Sequence, residues 1–384
     1  MAALALLPLA IWLYLIFGRG FFWWPRRTGE ARIQSRAVVR SEIDERIPRI
    51  VAVVPARNEA AVVGTAVASL LAQDYAGDFS VVLVDDHSSD GTAEVARAAA
   101  KGKEDRLTIV TARPLPPGWS GKLWALSEGV RQIATPPDLY LFTDADIAHH
   151  RSNLRELVAR LETEQRDLVS LMVKLHCESF AEKFLIPPFV FFFALLYPFA
   201  WSNDPRKATA AAAGGCILMR RSAYERIGGY AAIKGELIDD CALAAAVKKS
   251  GGSIWLGLSQ GTESLRLYPE VRDIWNMVAR TAYTQLAYSP LLLAGTVLGL
   301  VITYLAPVLL LLAGGKAALL GLAAWLMMAG SYAPMLLFYR RSLLWAPLLP
   351  AAASVYLGAT MASAWRHWRG RGGQWKGRVQ WQSR

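Results

Sequence analysis

The stretch LYLFTDADIAHH, residues 139–150, joins an apolar run directly to two carboxylates. Leu139 to Phe142 have the composition of a buried strand, and Asp144 and Asp146 follow it at once. Unpaired carboxylates at a buried strand end are costly, so a positive charge is expected beside them. A divalent cation such as Mg²⁺ or Mn²⁺ suits two such carboxylates, whereas a helix N-cap at Asp146 with Asp144 in water is the simpler alternative.

Apolar runs of the same kind alternate with helical segments on both sides of this stretch. Strands are predicted at residues 49–56, 79–86, 106–112, 138–146 and 167–173, with helices between them. Near-continuous apolar strands that alternate with helices are typical of a parallel sheet covered on both faces. We therefore predict one α/β domain over residues 45–265, with a predominantly parallel sheet.

Polar residues follow three of the predicted strands. They are Arg57-Asn58-Glu59, Asp85-Asp86-His87 and Asp144-Ala145-Asp146. In open α/β sheets, ligands bind beyond the carboxyl ends of the strands. The repetition at successive strand ends therefore predicts one shared cleft.

Both ends of the chain are too apolar for an ordinary soluble protein. The whole sequence is 54% hydrophobic with a mean hydropathy of +0.26, and the apolar excess lies outside the α/β domain. A bilayer core needs about 20 apolar residues per helix. We predict a transmembrane anchor at residues 1–25, an interfacial segment at 266–288, three transmembrane helices at 289–365 and a basic, Trp-rich tail at 366–384.

Charges beside these segments predict which side of the membrane holds the α/β domain. Five arginines follow the N-terminal segment, and by the positive-inside rule they place the domain in the cytoplasm: Arg26, Arg27, Arg32, Arg36 and Arg40. Residues 365–384 hold six cations, no acids and four tryptophans, although three further spans would end outside the cytoplasm. Either this tail lies on the membrane surface, or the number of spans differs by one.

The net charge and the cysteines indicate which partner and which cellular compartment to expect. The charge of +11 lies mostly beside membrane segments, so we expect anionic lipid headgroups rather than nucleic acid as the partner of the basic residues. Cys177, Cys216 and Cys241 have no paired spacing and no zinc pattern, which fits a reducing compartment.

Six motifs occur in an order that resembles the family 2 glycosyltransferases, which have the GT-A fold. They are PARNE (55–59), VDDHSSDGT (84–92), GWSGKLWAL (118–126), DAD (144–146), GGCILMRR (214–221) and IDDCAL (238–243). The resemblance covers about residues 49–260. It implies a nucleotide-diphosphosugar donor, expected to be a UDP-sugar, and Mg²⁺ or Mn²⁺ bound by Asp146 and Asp144.

The resemblance also implies roles for individual residues. Asp240 would take the proton of the acceptor hydroxyl in an inverting transfer, with Asp239 as its acidic neighbour. The alternative for this pair is a helix N-terminus enriched in acids. The implied donor-binding residues are Pro55, Ala56, Glu59, Asp86, Lys122, Asp144, Gly215 and Arg280.

The acceptor is expected to come from the membrane. The run FLIPPFVFFFALLYPFAW (184–201) is too broken by prolines for a regular span, so we expect a membrane-surface or half-buried element, with a core helix as the alternative. VARTAYTQL (278–286) and PLPPGWSGKLWAL (114–126) most resemble the hopene-associated bacterial glycosyltransferases, relatives of ceramide glucosyltransferases. This implies a hopanoid acceptor at a bacterial inner membrane.

Other functions remain open at this level. A polyprenyl-phosphate or ceramide-type glycosyltransferase is the enzymatic alternative, and a catalytically silent membrane scaffold that binds nucleotide or lipid is the non-enzymatic one. Polysaccharide synthases carry a Gln/Arg-x-x-Arg-Trp motif, but here Met277 and Thr281 flank Arg280 in its place. We therefore expect a single transfer rather than chain synthesis.

Overall fold

A computed structural model of the chain describes residues 2–24, 47–370, 372, 374–375 and 378–379. The five arginines at positions 26–40 and part of the basic tail lie outside these residues. The prediction that the charge bias places the domain in the cytoplasm therefore stays a prediction.

An eight-stranded sheet forms the centre of the α/β domain. Its strands are β1 Ile50–Ala56, β2 Phe79–Asp85, β3 Leu107–Thr111, β4 Leu139–Phe142, β5 Ile147–Ala148, β6 Leu168–Lys174, β7 Ile217–Arg220 and β8 Ile254–Ser264. They lie in the order β3-β2-β1-β4-β7-β6-β8-β5. The pairs β1–β2, β1–β4, β2–β3 and β6–β8 are parallel. The predicted α/β class with a mostly parallel sheet is confirmed, and β7 adds antiparallel pairs with β4 and β6.

Helices cover both faces of this sheet. They are α2 Val63–Leu71, α3 Thr92–Ala99, α4 Gly121–Arg131, α5 Asn153–Thr163, α6 Phe180–Leu196, α7 Phe199–Asn203, α8 Arg221–Arg226 and α9 Asp239–Lys249. The strands alternate their side chains between two apolar clusters, one containing Leu83 and Leu141 and the other Val53 and Phe142. Burial on both faces explains why the strands read as continuous apolar runs.

The C-terminal part is helical. It comprises α10 Val271–Gln285, α11 Pro290–Leu300, a π-helical turn Val301–Leu305, α12 Ala306–Leu310, α13 Gly315–Phe338 and α14 Leu349–Trp368. Three stretches in the described residues are long and apolar enough to cross a membrane: Pro290–Ala313, Gly315–Phe338 and Leu343–Trp368. Beyond them, Gln374–Trp375 (β9) and Arg378–Val379 (β10) pair antiparallel.

The N-terminal segment forms α1, Ala2–Gly18, which packs against the C-terminal helices. Its 17 residues extend about 25 Å, less than the ~30 Å of a bilayer core. The indole N–H of the fully buried Trp12 donates to the carbonyl of Thr303 at 2.8 Å. This helix is therefore fixed to the C-terminal helices by a specific buried contact.

Helix α6 contains most of the aromatic run at residues 184–201. A capping box of Ser179 and Glu182 begins it, and it continues through Pro187 and Pro188. Phe191 is fully buried against the ring of Tyr332 on α13, with the ring centroids 5.4 Å apart. One face of α6 is thus core between the sheet domain and the C-terminal helices, so the half-buried form of the expectation fits the run better than a position on the membrane surface. The ends of α6 remain exposed, at Phe180 and Leu196.

Candidate active site

The two acids of the opening stretch lie at the carboxyl edge of the sheet, beside the end of β1. Strands β1 and β4 pair in parallel with Val53 opposite Phe142, so their carboxyl ends coincide. Asp144 and Asp146 therefore share one cavity of about 790 Å³ with Glu59. The shared cleft therefore holds residues from two of the three predicted strand ends, whereas residues 85–87 do not line it.

Lys122 balances the first of these acids. Ser120 caps α4, which places Lys122 in the first helical turn. Its ammonium lies 3.0 Å from Asp144 and 3.1 Å from Asp239. Burial alone would lower the pKa of Lys122, but the carboxylates around it together raise that pKa above its usual value. Lys122 thus stays charged and joins the end of β4 to the start of α9.

Arg266 balances the second acid, and sequence reasoning missed it. Its Nε lies 2.7 Å from the carboxylate of Asp146, and its Nη2 lies 2.8 Å from Glu59. The sequence signal was a lone cation two residues after the last long strand, which is too common a pattern to indicate a site. Each of the two acids in residues 139–150 is therefore balanced by a cation of the chain itself.

The carboxylates of Asp144 and Asp146 are suited to a divalent cation that also binds the phosphate groups of a ligand. Mg²⁺ is usually held by one or two carboxylates together with substrate phosphates, and Asp144 and Asp146 supply the carboxylates. In the part of the chain that the structure describes, no three His, Cys, Asp or Glu side chains are grouped to hold a metal by themselves. A cation here would thus depend on the ligand's oxygens.

Asp240 lies at the N-terminus of α9 with both carboxylate oxygens held by backbone. Its Oδ2 accepts the N–H of Gly214 and its Oδ1 that of Cys241, both at 2.8 Å. Burial, and then the neighbouring Asp239, raise the pKa of Asp240 to about 6. A carboxylate with a raised pKa in a cleft is suited to accept a proton near neutral pH.

A buried hydrogen-bond network supports the loop that carries Gly214 and Gly215. The hydroxyl of Thr143 donates to the carbonyl of Gly215 at 2.7 Å and lies 2.9 Å from Nε2 of His149. Asn153 lies 3.0 Å from the other ring nitrogen. Burial lowers the pKa of His149 to about 4, so this histidine is neutral and structural at physiological pH.

The same cavity continues from the acids into the helical part of the molecule. Its far walls are aromatic and aliphatic, with residues from α6, α10, α11, the π-helical turn and α14: Phe189, Phe192, Phe193, Leu286, Thr296, Leu300, Tyr304, Tyr356 and Thr360. Tyr197 lies near Asp240 on this side of the cavity, and Gln285 donates to its hydroxyl, which gives an uncharged polar pair. The site thus joins a charged compartment to an apolar one.

The cavity does not reach every residue that the resemblance implied. Pro55, Glu59, Lys122, Asp144, Gly215 and Arg280 line it, together with Asp146, Asp239 and Asp240. Ala56 is buried in β1 and Asp86 is buried behind Arg57, and neither lines the cavity. The loop that follows Asp86 helps to hold Glu59 in place, because the hydroxyl of Thr92 accepts the backbone N–H of Glu59 at 2.9 Å.

Comparison with known proteins finds a family model that matches part of the α/β domain. The family model described as glycosyl transferase family 2 matches residues 51–228. No curated protein matches the chain.

Solved structures resemble the chain at low sequence identity. A mannosyltransferase from Pyrobaculum calidifontis, solved with GDP-Man and Mn²⁺, is 20% identical, with a TM-score of 0.53 over 96% of this chain and 99% of that one. Glucosyl-3-phosphoglycerate synthase from Mycobacterium tuberculosis, solved with Mn²⁺ and UDP, is 22% identical, with a TM-score of 0.41 over 62% of this chain and 79% of that one. TarS from S. aureus is 18% identical, with a TM-score of 0.42 over 61% and 39%. The first likeness extends the shared fold over both the sheet domain and the C-terminal helices.

Proposed function

We propose that this chain, whose residues 51–228 match the family 2 model, is a glycosyltransferase that moves a sugar from a nucleotide-diphosphosugar to a membrane lipid. The observation that carries the proposal is the unbroken cavity from Asp144, Asp146 and Asp240 to the apolar walls between α6, α11 and α14. A water-soluble acceptor would not need that apolar compartment, whereas a lipid places its tail there and its hydroxyl beside Asp240.

The donor occupies the charged compartment in this proposal. Glu59 and Pro55 lie toward the nucleoside, and Lys122 and Arg266 are the cations nearest the position of a diphosphate. The two nucleotides in the structural neighbours differ, since one holds GDP-Man and the other UDP. The resemblance of the sequence favours a UDP-sugar, and GDP-Man is the first alternative to test.

Asp240 carries the chemistry of the transfer. Its carboxylate accepts the proton of the acceptor hydroxyl while the hydroxyl oxygen displaces the nucleoside diphosphate from the sugar. One displacement inverts the configuration at the sugar carbon. A divalent cation held by Asp144 and Asp146 would supply charge stabilisation to the departing diphosphate.

The charges that line the cavity favour a neutral hydroxyl on the acceptor. The lining holds seven carboxylates and three cations, and two of those cations, Lys122 and Arg266, are already paired. A polyprenyl phosphate would add a further anion beside Asp240 and the donor diphosphate, at a cost in electrostatic free energy. Near Asp240 the neutral pair of Tyr197 and Gln285 offers hydrogen bonds to a hydroxyl. A hopanoid or a ceramide-type lipid meets this description, and the resemblance favours the hopanoid.

The proposed location follows from the same arrangement. The three candidate spans anchor the chain in a membrane. The donor compartment faces the cytoplasm of a bacterial inner membrane in this proposal, because nucleotide sugars are made there.

A transfer assay with defined acceptors tests the proposal. The purified full-length protein in nanodiscs is given radiolabelled UDP-glucose, UDP-N-acetylglucosamine or GDP-mannose with a polyhydroxylated hopanoid, ceramide or undecaprenyl phosphate. Label is expected in the organic phase with a hydroxyl lipid, and it is expected to disappear with Asp240→Asn. Transfer to undecaprenyl phosphate alone would contradict the neutral acceptor, and absence of transfer with every donor and acceptor would contradict the proposed function.

A further inference from the structure

Arg266 is held against Asp146 by the backbone as well as by its own side chain. The N–H of Leu265 donates to the carbonyl of Asp146 at 2.7 Å, directly before Arg266 in the chain. Strand β5, which begins one residue after Asp146, pairs antiparallel with the end of β8. The backbone next to Arg266 is therefore held beside Asp146, whose carboxylate the guanidinium contacts.

The contacts of Arg266 join two parts of the site that serve different purposes. One nitrogen contacts Asp146, the carboxylate suited to a cation, and another contacts Glu59 at the nucleoside end of the cavity. An arginine side chain is always charged in proteins, and this guanidinium lies within 2.8 Å of both carboxylates. The position that a metal ion would take beside Asp146 thus already contains a positive charge.

We propose that Arg266 acts as a substitute cation at Asp146 in the donor-free enzyme, so that Mn²⁺ or Mg²⁺ binds tightly only together with a nucleoside diphosphate. This inference rests on the proposed function. When the diphosphate arrives, its charge offers Arg266 a new partner, and Asp146 is released to the cation. Metal and nucleotide then bind as a unit, each raising the affinity for the other by the same factor.

Lys122 occupies Asp144 in the same way as Arg266 occupies Asp146. Its ammonium lies 3.0 Å from Asp144, so a bare cation entering the site would displace two salt bridges. In return, the cation would gain two carboxylate ligands. Among the described residues, no group of three His, Cys, Asp or Glu side chains is placed to hold it. A nucleoside diphosphate changes this balance, because it supplies phosphate oxygens to the metal and anionic partners to both displaced cations.

Mn²⁺ titration followed by electron paramagnetic resonance tests the inference without measuring catalysis. The purified full-length protein is titrated alone, with UDP and with GDP. The wild type is expected to bind Mn²⁺ weakly alone and tightly with the nucleotide that fits. Arg266→Gln is expected to bind Mn²⁺ about tenfold more tightly without nucleotide, because no salt bridge has to be broken. The enhancement by nucleotide is expected to shrink by the same factor.

Two further variants separate this effect from its alternatives. Lys174→Gln removes a neighbouring cation that pairs with Glu263 at 3.2 Å and does not line the cavity, so it is expected to leave Mn²⁺ affinity unchanged. Arg266→Lys keeps the charge without the fork that reaches two carboxylates, and an intermediate affinity is expected. If Arg266→Gln does not fold, Arg266→Lys alone still decides.

The outcomes distinguish this inference from the proposed function. If the wild type binds Mn²⁺ with UDP or GDP and neither Arg266 variant changes nucleotide-free Mn²⁺ affinity, Arg266 is not a substitute cation. If Lys174→Gln tightens Mn²⁺ binding as much as Arg266→Gln, the effect is general charge and the inference also fails. If the wild type binds no nucleoside diphosphate under any condition, the proposed function itself is contradicted.

Discussion

Asp240 and Asp239 follow each other in the chain but meet different surroundings. Asp239 contacts Lys122 at 3.1 Å, whereas Asp240 accepts two backbone N–H groups and is buried against its acidic neighbour. Asp239 is thus engaged with a cation, while the raised pKa of Asp240 increases its basicity. This difference supports the proposal that Asp240 is the proton acceptor of the pair.

Asp240→Asn should lose transfer and keep donor binding. The amide has almost the same shape but cannot take a proton, and removing a general base typically costs about 10²- to 10⁴-fold in rate. Turnover at saturating substrates and nucleotide affinity by calorimetry are the two measurements. A collapse of nucleotide affinity at an unchanged saturated rate would move Asp240 into the donor pocket.

The pH dependence should report the same carboxyl group. The pKa of Asp240 is raised to about 6, so kcat/KM for the acceptor should fall below that pH, about tenfold per unit. Stability should change in the opposite direction. The folded state holds this proton up to about pH 6 and the unfolded chain only to about pH 4, so Asp240 lowers stability as pH rises through that window. Asp240→Asn should remove this part of the stability profile.

Asp146→Ala should abolish metal-dependent transfer and lower stability slightly. The structure shows a 2.7 Å ion pair between Asp146 and Arg266, so removal of the carboxylate leaves Arg266 paired with Glu59. Since the pair is partly exposed, the loss of stability should be small, up to about 1 kcal/mol. Full activity of the variant with added Mg²⁺ or Mn²⁺ would refute the role of Asp146, and thermal unfolding measures the second effect.

At the scale of elements, α6 connects the catalytic sheet to the C-terminal helices. The buried Phe191 faces α13, while Phe189, Phe192 and Phe193 line the cavity. The helix therefore serves at once as core and as wall of the proposed acceptor compartment. Substitutions on its two faces should have different consequences.

Phe191→Ser should destabilise the whole protein. Removing a fully buried phenylalanine costs about 3–5 kcal/mol through lost burial and the remaining cavity. The unfolding temperature in detergent should fall, with donor binding and transfer lost together. Phe180→Ser is the matched control, because Phe180 lies on the same helix with 70% of its surface exposed. Normal unfolding of Phe191→Ser with selective loss of lipid transfer would restore the membrane-surface interpretation.

At the scale of the whole molecule, the donor compartment and the three candidate spans lie on the same chain in a fixed relation. Helices α6 and α10 pack between them, and the cavity crosses this junction. A donor that approaches from the cytoplasm and an acceptor that approaches from the bilayer would meet at Asp240. The side of the membrane that faces the sheet domain therefore decides which donors are available.

Cysteine labelling in intact cells should locate the sheet domain in the cytoplasm. Thr92 is fully buried and unsuitable as a surface site, whereas Ala98 on the same helix is exposed. Ala98→Cys should resist an impermeant maleimide until the cells are opened. The three native cysteines are buried, so they provide a low background. Labelling of Ala98→Cys in intact cells would overturn the cytoplasmic placement.

The sequence by itself determined the features that arise from short segments. Apolar runs separated by turns gave the strands and helices of the α/β domain. Uncharged stretches of sufficient length gave three C-terminal spans, and the acids after β1 and β4 indicated the cleft. These features depend on local period and composition, because burial on two faces or in a bilayer imposes them on every residue of the segment.

Only the tertiary structure decided which groups face each other. Asp146 and Arg266 are 120 positions apart, and their contact depends on the pairing of β5 with β8. The burial of Phe191 depends likewise on how α13 packs, and the buried Asp86 contacts Arg57 and does not line the cavity. Such contacts follow from the summed packing of many elements, and a local pattern of charge or hydrophobicity does not specify its partner.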